Sequence, residues 1–144
     1  MFKSIIVPVD GSEPSNAAVD LAVALSKACG ASVTLCHVLA IPRPIHDGGG
    51  FAREQIMEDE MKTGHAVLDA GAQRAAAAGV SVGKVLQTGA PVDGILDEAN
   101  KRHCDAIVMG SRGRGWVARA ILGSVTTDVI NRAPIPVIVA PHLH

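Results

Sequence analysis

Five short apolar segments alternate with longer segments of helical periodicity, and this alternation constrains the fold more than any other feature of the chain. The short segments predict strands at residues 5–9, 33–39, 82–86, 105–109 and 136–140. Continuous apolar runs of this kind are typical of parallel strands buried on both faces. The pattern therefore predicts an α/β fold, in which an open five-stranded parallel sheet is doubly wound with helices on both faces.

The segments between the strands carry helix start and stop signals. Ser12 with Pro14 begins the first helix and Gly30 ends it, while Pro91 begins the third. The long stretch 51–79 is the second helix. Its in-phase apolar residues predict the face that packs on the core: Met57, Met61, Leu68, Ala72 and Ala75.

The length of 144 residues suits one domain. We expect residues 1–144 to form a single nucleotide-binding unit that needs neither disulfides nor a structural metal to fold. The two prolines and three consecutive glycines within residues 40–50 indicate a flexible loop rather than a linker between domains. Residues 141–144 are expected to be a loose tail.

Composition argues against several classes of function. Lys and Arg total 13 against 14 Asp and Glu, which does not favour a nucleic-acid partner. No apolar run is long enough to span a membrane, and the first apolar segment is too short for a signal peptide. Cys29, Cys36 and Cys104 form no C-x-x-C pair. We interpret them as reduced thiols, which predicts a cytoplasmic protein.

The segment after the fourth predicted strand has the composition of a phosphate-binding loop. It contains Gly110, Gly113, Gly115 and Gly123, whose backbone can approach a ligand closely. Gly123 is followed by a predicted helix that ends near residue 132, and a helix N-terminus favours phosphate. The arginines of this loop are candidate phosphate contacts: Arg112, Arg114 and Arg119. The alternative is a glycine-rich surface loop that binds no ligand.

The spacing G-x2-G-x9-G-S, which starts at Gly110, resembles that of the universal stress protein family. The resemblance extends over the whole chain, through V-P-V-D-G-S at residues 7–12, G-A-P at 89–91 and P-V-I-V at 136–139. The full glycine pattern is similar to that of the ATP-binding branch. It implies a Rossmann-like fold of the adenine-nucleotide alpha-hydrolase type, a role in stress response and a homodimer formed through strand 136–140.

The resemblance also implies which residues contact the base. Asp10 would meet the adenine or the ribose, and Pro8 and Val9 would line the base pocket. The backbone of Val38 would read the edge of the adenine. From the residues alone, Asp10 could instead only cap the turn that contains Ser12.

The remaining implied contacts are to the ribose and the phosphates of ATP, ADP or AMP. Met109 and Gly110 would flank the ribose. The phosphates would be held by Gly113, Gly123, Ser124 and Val125. Mg²⁺ or Mn²⁺ would bridge the phosphates.

Three other sites that bind or accept phosphate are excluded by the motifs they require. A P-loop needs Ser or Thr after Gly-Lys, but Val85 follows Gly83-Lys84. A dinucleotide site at residues 113–118 lacks its acidic residue, since Ala133-Pro134 stand at the expected place. A phospho-receiver domain lacks its acceptor aspartate at residues 86–88. His37, on an apolar strand, is interpreted as a hydrogen-bonded core residue.

The absence of acidic residues between positions 110 and 127 predicts a switch rather than a fast enzyme. We expect slow or negligible ATP hydrolysis and no catalytic residue of the usual kind. Two alternatives stay open. One is a homodimeric scaffold that works without nucleotide through an unknown protein partner, and the other is a slow ATPase that phosphorylates itself at Ser124 or Thr126.

Overall fold

The structure is a computed structural model that describes residues 1–40, 50–112 and 122–141. In these residues strands and helices alternate strictly along the chain. The elements are β1 (Ser4–Pro8), α1 (Glu13–Cys29), β2 (Ser32–Leu39), α2 (Gly50–Ala77), β3 (Gly83–Thr88), α3 (Pro91–Lys101), β4 (Ala106–Gly110), α4 (Ser124–Arg132) and β5 (Val137–Ala140).

The five strands form one sheet in the order β3-β2-β1-β4-β5, and every neighbouring pair is parallel. The predicted open, doubly wound parallel sheet is confirmed. From β1 the chain winds outward through β2 to β3, and it then returns to the other side of β1 to add β4 and β5. The winding direction therefore reverses between β1 and β4, where open α/β sheets leave a crevice at the strands' carboxyl ends.

Helices cover both faces of the sheet because alternate residues of each strand point to opposite faces. On one face, Ile5, Val7 and Val108 pack with residues of α1 and α2. On the other face, Ile6 and Ile107 pack with residues of α3 and α4. Ile5, Ile6 and Ile107 have no exposed surface at all. The small aliphatic side chains therefore build two cores, one on each side of β1 and β4.

The start and stop signals of α1 act as predicted. The Ser12 hydroxyl accepts a hydrogen bond from the Ser15 N–H at 3.3 Å, which is a side-chain N-cap. Gly30 has φ 75°, and its N–H donates to the Ser26 carbonyl at 2.8 Å. These local signals explain why the helix bounds could be predicted within one or two residues.

Helix α2 packs closely on the sheet through two glycines. A Cβ at Gly64 would lie 2.7 Å from Leu86 Cδ1, and one at Gly71 would lie 2.8 Å from Leu35 Cδ1. The prediction that Met61 belongs to the core is wrong, since 43% of its surface is exposed. Among the side chains described from residue 53 onward, the first buried residue of α2 is Gly64. Periodicity reports the packing face of a helix but not how much of the helix the sheet covers.

Some predictions fall on residues that the structure does not describe. The predicted flexible loop 40–50 consists mostly of residues 41–49, and Gly50 belongs to α2. The predicted tail lies at residues 142–144, apart from Pro141. No helix in the described part of the chain combines the length and apolarity needed to cross a membrane.

The Asp105 carboxylate joins the start of β4 to the start of β1. It accepts from the Lys3 N–H at 2.8 Å and from the Ser4 N–H at 3.1 Å. The hydrogen bond from Lys3 is the largest of the effects that hold the pKa of Asp105 below the ordinary value of 3.8. Because the folded state favours the charged form of Asp105, this carboxylate stabilises the fold at pH values above 3.8. The contribution is lost as pH falls through the lowered pKa.

We therefore expect Asp105→Asn to lower the melting temperature at pH 7, because an amide offers one acceptor and turns its NH₂ toward the other N–H. The melting temperatures of the variant and the wild type should converge as pH falls below 3.8. Thermal melts between pH 7 and pH 3 measure the difference, with the exposed Asp97→Asn as the control. A difference that stays constant down to pH 3 would contradict this role of the carboxylate.

Candidate functional site

A pocket of about 330 Å³ opens where the winding direction of the sheet reverses. Its walls come from the carboxyl ends of β1, β2 and β4 and from the N-terminal parts of α1, α3 and α4. The volume falls in the range usual for small-molecule sites. The pocket therefore lies at the crevice that the strand order creates.

The structure brings together ten of the eleven residues that the sequence proposed for the site. The ten that line the pocket are Pro8, Val9, Asp10, Val38, Met109, Gly110, Arg112, Gly123, Ser124 and Val125. The eleventh, Gly113, lies outside the described residues, as do Arg114 and Arg119. Residues more than 110 positions apart along the chain thus share one surface.

Further lining residues were not proposed from the sequence. They are Ser15, Cys36, His37, Pro91, Ile95 and Thr126. The strand pattern places Cys36 and His37 beside Val38 and could have indicated them. Ile95 belongs to a helix, and its place at the pocket depends on how α3 packs against β2.

The end of β1 is shaped by a tight turn at Asp10. One carboxylate oxygen of Asp10 accepts from the Ser12 N–H at 3.0 Å and also from the Ser12 hydroxyl. The Asp10 N–H in turn donates to the Ser15 hydroxyl at 3.4 Å. Asp10 therefore organises the start of α1 while it lines the pocket, so its turn-capping contact and its position at the pocket coexist.

The backbone N–H and carbonyl of Val38 face the gap beside β1. The Cys36 carbonyl points toward β1, because it accepts from the Val9 N–H at 2.8 Å. The Leu39 carbonyl points the other way, because it accepts from the Gly89 N–H beyond β3 at 2.8 Å. Backbone directions alternate along a strand, so the N–H and carbonyl of Val38 point toward β1. The β1 ladder ends at the pair Pro8 and Cys36, just before this point.

The end of β4 lies directly against the first turn of α1. A Cβ on Gly110 would approach the Pro14 carbonyl oxygen to 2.5 Å, so only glycine fits there. The Gly110 carbonyl accepts from the buried Thr126 hydroxyl at 2.9 Å. The Ser111 carbonyl accepts from the Gly123 N–H at 2.7 Å. These two bonds fix the start of α4 beside the end of β4.

Helix α4 presents its N-terminus to the pocket. Its first backbone bond runs from the Thr127 N–H to the Gly123 carbonyl, so the N–H groups of residues 124–126 have no acceptor within the helix. Gly123 offers no side chain to cap them. These donors carry the positive end of the helix dipole, and this arrangement suits an anion.

Few charged side chains line the pocket. Arg112 is the only Lys or Arg, and Asp10 the only acid, among the described lining residues. Burial, aided by the charge of Glu98, raises the pKa of the Cys36 thiol to about 12. Cys36 is therefore protonated at neutral pH and is unsuited to act as a nucleophile. Thr126 is 2% exposed and its hydroxyl donates to the Gly110 carbonyl, so it is poorly placed to accept a phosphoryl group.

These features define a class of protein: an open α/β domain with a pocket at its topological switch point, to which a helix presents its N-terminus. The model of the universal stress protein family matches residues 1–141. The chain belongs to the universal stress protein family. Its relatives include a universal stress protein of Thermus aquaticus, which is 34% identical over 96% of this chain and 98% of its own length.

Solved structures of the family share this fold. The universal stress protein UspA from Lactobacillus plantarum superimposes with a TM-score of 0.86, at 26% identity over 96% of this chain and 97% of its own. A universal stress protein in complex with cAMP gives 0.74, at 27% identity over 99% and 97%. One from Archaeoglobus fulgidus in complex with dAMP gives 0.71, at 25% identity over 96% and 98%.

Proposed function

We propose that the chain binds ATP, or the closely related ADP or AMP, in the pocket at the switch point and acts as a regulatory switch in stress response. The observation that carries this proposal is that the two ends of one pocket offer different hydrogen-bonding groups. The β2 end offers the backbone N–H and carbonyl of Val38, and the α4 end offers backbone donors.

The two nucleotide complexes among the solved relatives support the adenine part of the proposal. Both cAMP and dAMP contain an adenine ring and a phosphate, and those proteins superimpose on this chain over nearly its full length. A site with an apolar base end and a cationic phosphate end suits this shared chemistry. The proposal that the nucleotide is a triphosphate rests on the glycine spacing, which resembles that of the ATP-binding branch.

At the base end, Pro8 and Val9 would enclose the adenine, and the backbone N–H and carbonyl of Val38 would pair with its edge. Asp10 would contact the ribose or the base, and Met109 and Gly110 would flank the ribose. All of these residues line the pocket.

At the phosphate end, the N–H groups at the start of α4 would bind the phosphate oxygens, together with the Ser124 hydroxyl and Arg112. Gly113 would complete this cradle. No group of three His, Cys, Asp or Glu side chains within the described ranges 1–40, 50–112 and 122–141 is placed to hold a metal. A Mg²⁺ or Mn²⁺ ion would therefore take its ligands mainly from the phosphates and water.

We expect slow ATP hydrolysis because few acidic side chains lie at the phosphate end of the pocket. Hydrolysis needs a group that orients the attacking water beside the γ-phosphate. Residues 110–127 contain no Asp or Glu, and Asp10 is engaged by the Ser12 turn. We expect a turnover rate below about 1 s⁻¹, the low end of the range usual for kinases. If self-phosphorylation occurs, the exposed Ser124 is its acceptor rather than the buried Thr126.

The proposal is tested by mass spectrometry of the small molecules released when the freshly purified protein is denatured. We expect an adenine nucleotide in near-stoichiometric amount, and calorimetric titration of the emptied protein with ATP and Mg²⁺ should restore it. A protein that carries no nucleotide and ignores added ATP would contradict nucleotide binding. The nucleotide-independent scaffold would then be the better account.

We also propose that two copies of the chain pair through β5. This strand is at one edge of the sheet, and its N–H groups alternate in direction. The Ile107 N–H donates to the Pro136 carbonyl at 2.9 Å, so the backbone groups of residues 136, 138 and 140 point toward β4. The backbone N–H and carbonyl groups of Val137 and Val139 then point toward the open edge, where they can pair with a second copy.

Val139→Pro is expected to convert the dimer into a monomer that stays folded, because it removes an outward N–H and leaves the β4 ladder intact. Light scattering at micromolar concentration measures the mass. Lys84→Pro is the matched control, because it makes the same change on β3 at the opposite edge and should leave a dimer. A wild-type protein of monomer mass would contradict pairing through β5.

A further inference from the structure

The side chain of His37 is hydrogen-bonded to the backbone just after β1. Its Nδ1 lies 2.7 Å from the Val9 carbonyl oxygen. A carbonyl oxygen has no hydrogen to give, so Nδ1 carries the proton and donates. The imidazole is held from the other side by α2, since its Cδ2 lies 3.0 Å from the place of a Cβ on Gly64.

This bond is made to the carbonyl that the next bond of the β1–β2 ladder would use. The Val9 N–H donates to the Cys36 carbonyl at 2.8 Å. In a regular parallel ladder the next bond would run from the Val38 N–H to the Val9 carbonyl. The register of β1 and β2 stops one step earlier, at Pro8 and Cys36, so this bond is not formed.

We infer that His37 is a positioning residue, which binds the Val9 carbonyl so that the backbone N–H of Val38 stays out of the sheet and remains available to the ligand. The assignment of that ligand as an adenine nucleotide rests on the proposed function. The geometry of the His37 contact does not depend on it.

The consequence for the ligand is base selectivity. Adenine presents an acceptor at N1 beside an amino donor at N6, which matches the N–H and carbonyl of one strand residue, because these two groups point to the same side of the strand. Hypoxanthine, the base of ITP, presents a hydrogen at N1 and an oxygen at C6, so the same pose would oppose donor to donor. A Val38 N–H that is bonded within the sheet could not make this distinction.

Amide hydrogen exchange on the wild-type protein without nucleotide tests the structural step. The Val38 amide should exchange at least about tenfold faster than the Cys36 amide, which is inside the β1 ladder. In His37→Leu the Val9 carbonyl loses its donor, so the Val38 amide should join the ladder and become protected. In His37→Asn the amide nitrogen stands in the place of Nδ1, so fast exchange should be retained.

Calorimetry with ATP and ITP tests the ligand step. His37→Leu should raise the Kd for ATP about tenfold and reduce the preference for ATP over ITP, whereas His37→Asn should restore both. The control is His65→Leu, on the exposed surface of α2, which should change neither.

The outcomes separate the two proposals. A wild-type protein that binds no nucleotide would refute the proposed function, while the exchange of the Val38 amide would still decide the role of His37. A Val38 amide as protected as that of Cys36 in the wild type would overturn the inference, even if His37→Leu does not fold. Equal loss of ATP affinity in the Leu and Asn variants would also overturn it.

Discussion

Replacing Gly110 with alanine is expected to lower the free energy of unfolding by about 3 kcal/mol, at the upper end of the usual cost of overpacking. The added Cβ would lie 2.5 Å from the Pro14 carbonyl oxygen and 2.6 Å from its carbonyl carbon. Both atoms belong to backbone in the first turn of α1, so no side-chain rotation can relieve the contact. Urea denaturation followed by circular dichroism measures the change.

The matched control is Gly83→Ala, another glycine on a strand of the same sheet. A Cβ there would lie 3.5 Å from the nearest atom, Thr34 Oγ1, which is an ordinary contact. We expect the free energy of unfolding to change by less than about 0.5 kcal/mol. If the two variants were equally stable, the first turn of α1 would not pack against the end of β4 as described.

The second large effect is expected from Ser124→Asp, with opposite consequences for folding and for binding. The new carboxylate would lie at the N-terminus of α4 and stabilise the helix by about 0.3–1 kcal/mol. Bound phosphate would then meet a negative charge a few ångströms away, at a cost of about 3–4 kcal/mol. The Kd for ATP should therefore rise by a factor of about one hundred or more, while the Kd for adenosine should change less than twofold.

Thr127→Asp provides the matched control for this charge. Thr127 is exposed in the same first turn of α4, but it is not among the residues that line the pocket. Its carboxylate should also stabilise the helix and should weaken ATP binding far less. Equal weakening in both variants would indicate general repulsion rather than phosphate bound at the helix N-terminus. Unchanged ATP binding in Ser124→Asp would place the phosphates elsewhere.

The predicted strands and helices agree with the structure because their signals are local. The apolar run at residues 136–140 became β5 (Val137–Ala140), and the Ser12 and Gly30 signals bound α1 to within one residue. The error at Met61 has a different origin. Its helical phase is the same as that of buried Leu68, but burial depends on whether another element lies opposite.

The candidate site was predictable in part, because the carboxyl ends of parallel strands meet at one edge. This rule points to the loops that begin at Asp10 and Gly110, and it depends only on strand direction. The family resemblance added Pro8 and Val38. Neither source indicated that the Thr126 hydroxyl holds the Gly110 carbonyl, because that bond depends on how α4 docks beside β4.

The sequence by itself determined the elements, their order and the end of the sheet at which a ligand can bind, because periodicity, capping and chain direction are properties of neighbouring residues. Only the tertiary structure decided which strands are neighbours and where each ladder stops. The bond from His37 to the Val9 carbonyl shows the reason. This bond joins two residues that are 28 positions apart along the chain. Whether the His37 side chain or the Val38 N–H reaches the Val9 carbonyl depends on the distance between β1 and β2 at their carboxyl ends, and no local sequence pattern specifies that distance.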